Sequence, residues 1–181
     1  LIGRKIVGVE VRLPKMFEGD KDKIIGQKIK DVRRRAKIIV LELGNGFNIV
    51  VHLKMTGQLV FGTDSAETIS FSQGIPFAGF SLPAKTTHVI FKLDPPSDKP
   101  SEGQAKLFFN DMRQFGWIKI IDNEQLAMIN EKHGPEPFDS TQGKPSDFTQ
   151  EYLAKICGNW GRQIKLLLIE QSKIAVIGNI Y

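Results

Sequence analysis

Residues 112–117 combine a cation and an aromatic ring at a predicted turn, which is the clearest chemical signal in this sequence. Arg113 and Phe115 are separated by one residue, and they follow an apolar run and the turn-favouring pair Asn110–Asp111. The pattern predicts that both side chains lie at the tip of a β-hairpin. Proteins that open a DNA duplex use such a pair, because an apolar side chain can separate stacked bases while a cation occupies the space left behind. Taken alone, the segment also fits a surface arginine beside a core phenylalanine.

A second signal is a basic run at residues 28–37. The chain has 25 Lys+Arg against 20 Asp+Glu, a formal net charge of +5, and six of these ten residues are basic. They are Lys28, Lys30, Arg33, Arg34, Arg35 and Lys37. A charge run is usually a solvated face, but this one leads directly into an apolar strand. We therefore expect it to lie on a structured edge that faces a polyanion.

Composition excludes several classes of protein. The single cysteine, Cys157, excludes an internal disulfide and a CxxC metal site, so we expect no metal within this chain. No apolar stretch approaches the ~18 residues of a membrane span, and no charged-then-apolar signal segment opens the chain. We expect a soluble, cytoplasmic protein that makes no membrane contact. Because the sequence begins at Leu1 within a predicted strand and stops at Tyr181 in mid-pattern, we also expect both ends to be cut.

The remaining sequence divides into a strand-rich part and a helical part. Residues 1–121 alternate in the manner of strands, and two loop-like inserts rich in Gly, Ser, Pro and Thr are expected at 62–87 and 94–105. The predicted strands are 5–11, 37–43, 47–54, 58–61, 88–93, 106–109 and 117–121, with a hairpin turn at Gly44-Asn45-Gly46. The predicted helices are 124–131, 147–157 after an N-cap at Ser146, and 162–171. Strands followed by helices indicate a β-rich domain joined to an α domain.

Other polar groups lie at predicted strand ends and turns. His52 and Met55 close the third strand, where the ordinary interpretation is a local hydrogen bond for His52 and core packing for Met55. Lys37 ends the basic run, and Asn179 lies in the glycine-containing turn of residues 177–181. Such groups, with backbone amides, can hold phosphate.

Five motifs together resemble a known family. They are Arg34-Arg35-Ala36-Lys37, His52-Leu53-Lys54-Met55-Thr56-Gly57, Asp111-Met112-Arg113-Gln114-Phe115-Gly116, Gly134-Pro135-Glu136-Pro137-Phe138 and Ile177-Gly178-Asn179-Ile180-Tyr181. Their order and approximate spacing are similar to those of formamidopyrimidine-DNA glycosylases, the bacterial base-excision repair glycosylase/AP lyases for oxidised purines. The resemblance covers the chain apart from the two loop inserts.

The resemblance implies an α+β fold in which DNA lies in a cleft between two domains. The N-terminal domain is a two-layered β-sandwich, incomplete at its start, and it is followed by the start of a helical helix–two-turn–helix domain. On this basis the sandwich domain is expected at residues 1–133, a linker at 134–146, and the first part of the helical domain at 147–181.

The resemblance also implies roles for individual residues. Met55, Arg113 and Phe115 match the triad that fills the void when a damaged nucleotide is flipped out of the duplex. Lys37 matches a lysine that contacts phosphate at the lesion and assists catalysis. Further expected DNA contacts are His52, Arg34, Arg35, Lys165 and Asn179.

The implied activity is removal of 8-oxoguanine and formamidopyrimidines by base flipping and Schiff-base chemistry. The implied partner is double-stranded DNA that carries an oxidised base, bound by a monomer. The family's nucleophilic N-terminal proline, the glutamate after it and its four-cysteine zinc finger have no counterpart here. We therefore expect an internal fragment that is inactive as given, with no cofactor in this chain and zinc in a finger outside it.

Two alternatives stay open. Endonuclease VIII, which acts on oxidised pyrimidines, shares the fold but generally lacks the Met/Arg/Phe arrangement. A non-catalytic DNA- or RNA-binding module would explain the basic charge, although an RNA-binding role leaves Met55, Arg113 and Phe115 without an evident function.

Overall fold

The structure is a computed structural model, and it describes residues 1–63, 67–137 and 147–178. The chain forms two compact units. The first comprises Leu1–Arg34 and Ile38–Asn123, and the second comprises Arg35–Lys37 with the described residues from Glu124 onward. The second unit therefore begins earlier than the boundary near residue 133 that the sequence indicated.

The first unit contains the strands. Within its described residues they are β1 (Ile6–Val11), β2 (Phe17–Glu18), β3 (Ile29–Arg35), β4 (Ile38–Leu43), β5 (Phe47–His52), β6 (Gly57–Gly62), β7 (Ile69–Ile75), β8 (Gly79–Leu82), β9 (Thr87–Leu93), β10 (Ala105–Asp111) and β11 (Trp117–Asp122). A four-stranded sheet has the order β1-β9-β10-β6, and a five-stranded sheet has the order β2-β11-β5-β4-β3. In the four-stranded sheet all neighbours pair antiparallel, and in the five-stranded sheet β5 pairs antiparallel with β11 and β4, whereas β2 and β11 are parallel.

The two larger sheets enclose one apolar core. Phe91 and Phe109 from the four-stranded sheet belong to the same buried cluster as Leu41, Val51 and Ile118 from the five-stranded sheet. Side chains that alternate along each strand therefore meet between two layers, which is the packing of a β-sandwich. The two-layered sandwich expected for the N-terminal domain is confirmed.

One stretch expected to be a loop contains a hairpin. Strands β7 and β8 pair antiparallel within the predicted insert 62–87. Ile69 and Leu82 are buried with Ile90 and Phe108 in a smaller cluster on the four-stranded sheet. The loop prediction was wrong here because Ile69 and Phe71 alternate with serines, and this period of two favours a strand despite the glycine and serine content.

The second unit contains the helices α1 (Asn123–Glu131), α2 (Gln150–Gly158) and α3 (Ile164–Ile169), the first of which starts at the end of the first unit. Thr149 caps α2, since its Oγ1 accepts a hydrogen bond of 3.1 Å from the Tyr152 amide. The predicted cap, Ser146, lies outside the described residues. None of the described helices is long and apolar enough to cross a membrane.

Residues 134–137, expected in a linker, are hydrogen-bonded into the second unit. The Gly134 amide donates to the Gln171 carbonyl at 2.9 Å, and the Ala175 amide donates to the Pro135 carbonyl at 3.1 Å. The sequence Gly-Pro-Glu-Pro predicts only a connection that ends a helix, because it carries no information on these long-range bonds.

Candidate nucleic-acid interface

Two neighbouring loops cross between the sheets of the first unit. Residues 53–56, here called the Met55 loop, connect β5 in the five-stranded sheet to β6 in the four-stranded sheet. Residues 112–116, the Phe115 loop, connect β10 to β11 in the opposite direction. The strands that flank them pair at Gly57 with Asp111 and at His52 with Trp117, so the loops lie side by side.

The predicted hairpin at residues 112–117 is therefore wrong. Strands β10 and β11 follow each other in sequence but pair with different partners, β10 with β6 and β9, and β11 with β5 and β2. An apolar run, a turn signal and a second apolar run are common to hairpins and to sheet-crossing connections, so the local pattern does not separate them. The exposed position expected for the loop side chains does not depend on this distinction.

Met55, Arg113 and Phe115 form one exposed group, which we call the wedge cluster. Met55 is 60% exposed and Phe115 is 56% exposed. The Arg113 Nη1 atom donates to the Met55 Sδ atom at 3.2 Å, and the guanidinium carbon lies 5.0 Å from the centroid of the Phe115 ring. The exposure expected for Met55 and Phe115 is confirmed, and core packing of either residue is excluded.

The buried carboxylate of Asp111 stabilises the Phe115 loop through hydrogen bonds to its backbone. The Oδ2 atom accepts hydrogen bonds from the amides of Phe115 at 2.9 Å and Gly116 at 2.7 Å. Oδ1 accepts from the Arg113 amide at 3.1 Å and from the Thr56 hydroxyl. One carboxylate thus fixes the backbone of the Phe115 loop and joins it to the Met55 loop.

These hydrogen bonds determine the charge state of Asp111. Burial raises the pKa of the Asp111 carboxyl, but the hydrogen bonds from the Thr56 hydroxyl and from the Gly116, Arg113 and Phe115 amides outweigh it. The pKa therefore lies below its ordinary value of 3.8, and the group is a carboxylate at neutral pH.

Two glycines at the ends of these loops leave no room for a side chain. A Cβ atom on Gly116 would lie 2.8 Å from the Phe109 ring and 3.0 Å from the His52 carbonyl oxygen. A Cβ atom on Gly57 would lie 2.3 Å from the Leu53 carbonyl oxygen. Neither contact can be relieved by turning a flexible side chain alone, so both positions require glycine.

His52 makes the local hydrogen bond that its position at a strand end suggested. Its Nδ1 atom accepts from the Lys54 amide at 2.9 Å, and its ring packs against Trp117 with centroids 5.6 Å apart. An Nδ1 atom that accepts a hydrogen bond places the ring proton on Nε2. A phosphate contact through His52 stays a prediction.

In the second unit, Glu136 anchors the turn that precedes Lys37. Glu136 is buried, and its Oε1 accepts from the Ala36 amide at 2.5 Å and from Arg35 Nη1 at 3.2 Å. Arg35 Nη2 donates to the carbonyls of His133 and Gly134, both at 3.2 Å. The structure thus gives Arg35 internal partners on both terminal nitrogens, and a DNA contact through Arg35 stays a prediction.

Lys37 is exposed and donates from Nζ to the Ile177 carbonyl at 2.9 Å. Gly178 lies next to the same amine, since a Cβ atom on it would be 3.5 Å from Lys37 Nζ, an ordinary van der Waals distance. The turn predicted around residues 177–178 therefore contacts Lys37, whereas Asn179 lies outside the described residues.

The other predicted contacts are exposed cations. Arg34 lies on β3, and Lys165 lies in the first turn of α3. Four members of the basic run, Lys30, Arg33, Arg34 and Arg35, lie on β3, the edge strand of the five-stranded sheet, so the structured edge expected for the run is present. Within this run Arg33 pairs with Glu42 and Asp31, so its charge is partly compensated.

The residues that sequence reasoning missed are Thr56, Asp111 and Glu136 in their positioning roles. Asp111 was visible only as part of a turn signal, since an Asp side chain often accepts from amides two residues ahead. Glu136 carried no local signal. Among the described residues, no group of three or more His, Cys, Asp or Glu side chains is arranged to hold a metal ion.

Comparison with known proteins agrees with this geometry. Residues 1–118 match the family model described as the formamidopyrimidine-DNA glycosylase N-terminal domain. The formamidopyrimidine-DNA glycosylase of Pelotomaculum thermopropionicum is 37% identical over 188 residues, which cover 100% of this chain and 58% of the relative. The enzyme of the same name from Chloroflexus aurantiacus is 34% identical over 186 residues, covering 100% of this chain and 56% of the relative.

Solved structures give the same result. Lactococcus lactis formamidopyrimidine-DNA glycosylase bound non-covalently to DNA with an AP site has a TM-score of 0.75 and 26% identity, covering 100% of this chain and 60% of that one. The Lactococcus lactis enzyme with DNA that contains Fapy-dG has a TM-score of 0.74 and 26% identity, covering 99% of this chain and 59% of that one. The present chain thus spans less than two thirds of the length of these proteins, and it belongs to the formamidopyrimidine-DNA glycosylase family.

Proposed function

We propose that the whole protein containing this chain is a base-excision repair DNA glycosylase/AP lyase for oxidised purines such as 8-oxoguanine and formamidopyrimidines. The observation that carries the proposal is the wedge cluster, three exposed side chains of the types needed to replace a flipped nucleotide. The family membership of the chain, and DNA complexes of its relatives with an AP site and with Fapy-dG, support the same conclusion.

The energetics of flipping explain why the apolar members are exposed. A phenylalanine side chain buries roughly 150–250 Å² when fully enclosed, so the 56% of Phe115 that is exposed corresponds to about 80–140 Å². At ~25 cal/mol per Å², enclosing this surface between base pairs contributes about 2–3 kcal/mol. Extrusion of a nucleotide costs a few kcal/mol, so Phe115 and Met55 together offset much of that cost.

Arg113 supplies the polar part of the replacement. Its guanidinium has donors in a planar fork, and in the free protein it rests on two weak partners, the Met55 thioether and the Phe115 ring. A cation–π contact at an exposed site contributes only about 0.5–1 kcal/mol. Arg113 can therefore exchange these partners for acceptors on the base left opposite the flipped nucleotide.

Phosphate contacts account for the remaining affinity. We assign them to the exposed cations Lys37, Arg34 and Lys165, with His52 Nε2 as a further donor, and we retain Asn179 as a candidate. Arg35 instead supports Lys37 through the buried Glu136. We also propose that Lys37 assists catalysis. The protein acts as a monomer and is located in the cytoplasm, associated with the nucleoid.

The test is a duplex with a tetrahydrofuran abasic analogue and 2-aminopurine beside it, whose fluorescence rises when its stacking is lost. We expect the 181-residue chain to bind this duplex more tightly than an undamaged one and to raise the fluorescence. Phe115→Ala should weaken binding and reduce the fluorescence change. Phe77→Ala is the matched control, because Phe77 is also 56% exposed but lies in the β7–β8 turn. Equal effects of the two substitutions would overturn the proposed role of the cluster.

A separate assay addresses the substrate class. Excision by the whole protein should be faster on duplexes with 8-oxoguanine opposite cytosine than on duplexes with thymine glycol opposite adenine. Preference for thymine glycol would instead favour an endonuclease VIII-type enzyme, and absence of any excision would favour a non-catalytic DNA-binding module.

A further inference from the structure

We propose that Thr56 and Asp111 are positioning residues that lock the Met55 loop to the Phe115 loop, so that Met55 and Phe115 enter DNA as a single unit. This inference rests on the proposed function of the wedge cluster. It adds that the free protein assembles the wedge before it meets DNA, and that the assembly depends on two side chains that do not themselves contact the duplex.

The Thr56 hydroxyl is the connection between the loops. It donates its hydrogen to Asp111 Oδ1, and its oxygen accepts from the Arg113 amide at 3.1 Å. A hydroxyl can donate one bond and accept others at once, and valine, which has the same shape, can do neither. Thr56 immediately follows Met55 in the chain, so the position of the hydroxyl fixes the backbone next to the first apolar wedge.

Asp111 provides the matching set of acceptors. Its two oxygens receive the Thr56 hydroxyl and the amides of Arg113, Phe115 and Gly116. An asparagine in this place would turn an NH₂ group toward one of these donors, which would leave buried donors facing each other. Only a carboxylate satisfies all of them, and together they fix the backbone on both sides of Phe115.

The wedge cluster needs this support because its own contacts are few. Met55 and Phe115 are each more than half exposed, and the contacts of Arg113 with the Met55 sulfur and the Phe115 ring are of weak types. Gln114, between Arg113 and Phe115, adopts a left-handed backbone conformation with φ of 56°. A loop with an unfavourable φ and exposed side chains keeps one conformation only if other groups hydrogen-bond to its backbone. Asp111 does so through the amides of Arg113, Phe115 and Gly116.

The consequence is energetic coupling between two residues that lie in different loops. If the loops are locked, removal of one wedge changes what the other can gain from the opened stack, so the effects of Met55→Ala and Phe115→Ala on binding are not additive. If the loops move independently, the effects add. Thr56 therefore controls the coupling free energy between Met55 and Phe115, which neither of these residues determines alone.

The experiment is a double-mutant cycle of Met55→Ala and Phe115→Ala in the 181-residue chain, read as Kd for the tetrahydrofuran duplex and as 2-aminopurine fluorescence. We expect the double variant to deviate from additivity on the order of fivefold in Kd. The cycle is repeated in Thr56→Val, Thr56→Ala and Thr56→Ser backgrounds. The coupling should be lost in the first two and restored in Thr56→Ser, which keeps the hydroxyl.

Thr87→Val is the control for a purely structural role. Thr87 is buried and its hydroxyl donates to Asn110 Oδ1 at 2.7 Å, but it lies on β9 and in neither loop. Its substitution should lower stability and leave the coupling intact. The Tm of each variant is measured, and Thr56→Ala and Thr56→Ser keep the comparison possible if Thr56→Val does not fold.

The outcomes separate the two proposals. Coupling that persists without the Thr56 hydroxyl, or that is lost equally in Thr87→Val, overturns the locking role while the wedge function stands. Single variants at Met55 and Phe115 that leave both Kd and fluorescence unchanged overturn the wedge function and the locking role with it.

Discussion

Substitution of Phe115 by alanine should separate folding stability from DNA binding more cleanly than any other single change in this chain. A buried phenylalanine loses about 3–5 kcal/mol of unfolding free energy when it is truncated to alanine. Since Phe115 keeps less than half of its surface buried, the same change there should cost about 1–2 kcal/mol. The cost in DNA binding should be larger, up to about 2–3 kcal/mol, because the exposed part of the ring is the part enclosed by the opened duplex.

The internal comparison is Phe109→Ala, in the strand that leads into the same loop. Phe109 is fully buried in the sandwich core, so this substitution should destabilise the fold by the full ~3–5 kcal/mol. Urea unfolding at pH 7 gives the two stabilities, and fluorescence anisotropy with a tetrahydrofuran duplex gives the two Kd values. For Phe115→Ala we expect Kd to rise by up to roughly 30- to 150-fold, the equivalent of 2–3 kcal/mol.

Two results would contradict this role of Phe115. A loss of stability for Phe115→Ala equal to that for Phe109→Ala would show that the ring is part of the core. An unchanged Kd with a small loss of stability would show that Phe115 is exposed but is not used on DNA.

The other predictions concern charge. Asp111→Asn should lower the unfolding free energy by about 2–3 kcal/mol at pH 7. Because the folded-state pKa of Asp111 is lowered, its ionisation stabilises the fold above the ordinary value of 3.8, and this stability is lost as pH falls through the lower folded value. Urea unfolding from pH 6 to pH 2.5 should therefore show a fall in unfolding free energy that is absent from Asp111→Asn. With ~5 phosphate contacts, log K for duplex binding should fall against log salt with a slope of roughly −4 to −5. Lys37→Ala should make that slope shallower by about 1, whereas the control Lys85→Ala should leave it unchanged. Equal slopes in both variants would show that Lys37 does not contact DNA phosphate. Arg113→Ala should reduce the ratio of Kd values between duplexes that differ in the base opposite the abasic analogue, whereas an unchanged ratio would show that Arg113 does not contact that base.

Much of the fold follows from local patterns. The alternation in β5 and the Gly44-Asn45-Gly46 turn predicted a hairpin, and β4 and β5 do pair antiparallel on either side of that turn. These signals are readable because side-chain periodicity and turn chemistry depend on residues that are adjacent in the chain. The turn signal before Phe115 likewise anticipated its exposure, whereas the exposure of Met55 was anticipated only from motifs that resemble those of a family.

Pairing between distant strands was not readable in the same way. Whether β10 and β11 form a hairpin or join different sheets depends on β5 and β6, which lie more than forty residues earlier in the chain. The same long-range arrangement brings Thr56 to Asp111 and creates the support beneath the wedge cluster. A sequence pattern cannot contain this information, because either residue alone has an ordinary local role.

The adjacent arginines Arg34 and Arg35 show why residue type does not decide function. Both lie on an edge strand in a basic run, and the sequence assigned both to DNA. The side chain of Arg35 turns to the buried carboxylate of Glu136, which also accepts from the Ala36 amide, where the backbone has a left-handed φ of 53°. A buried carboxylate is costly unless a cation and amides satisfy it. Arg35 therefore stabilises the backbone conformation next to Lys37, a structural role that its place in the basic run did not indicate.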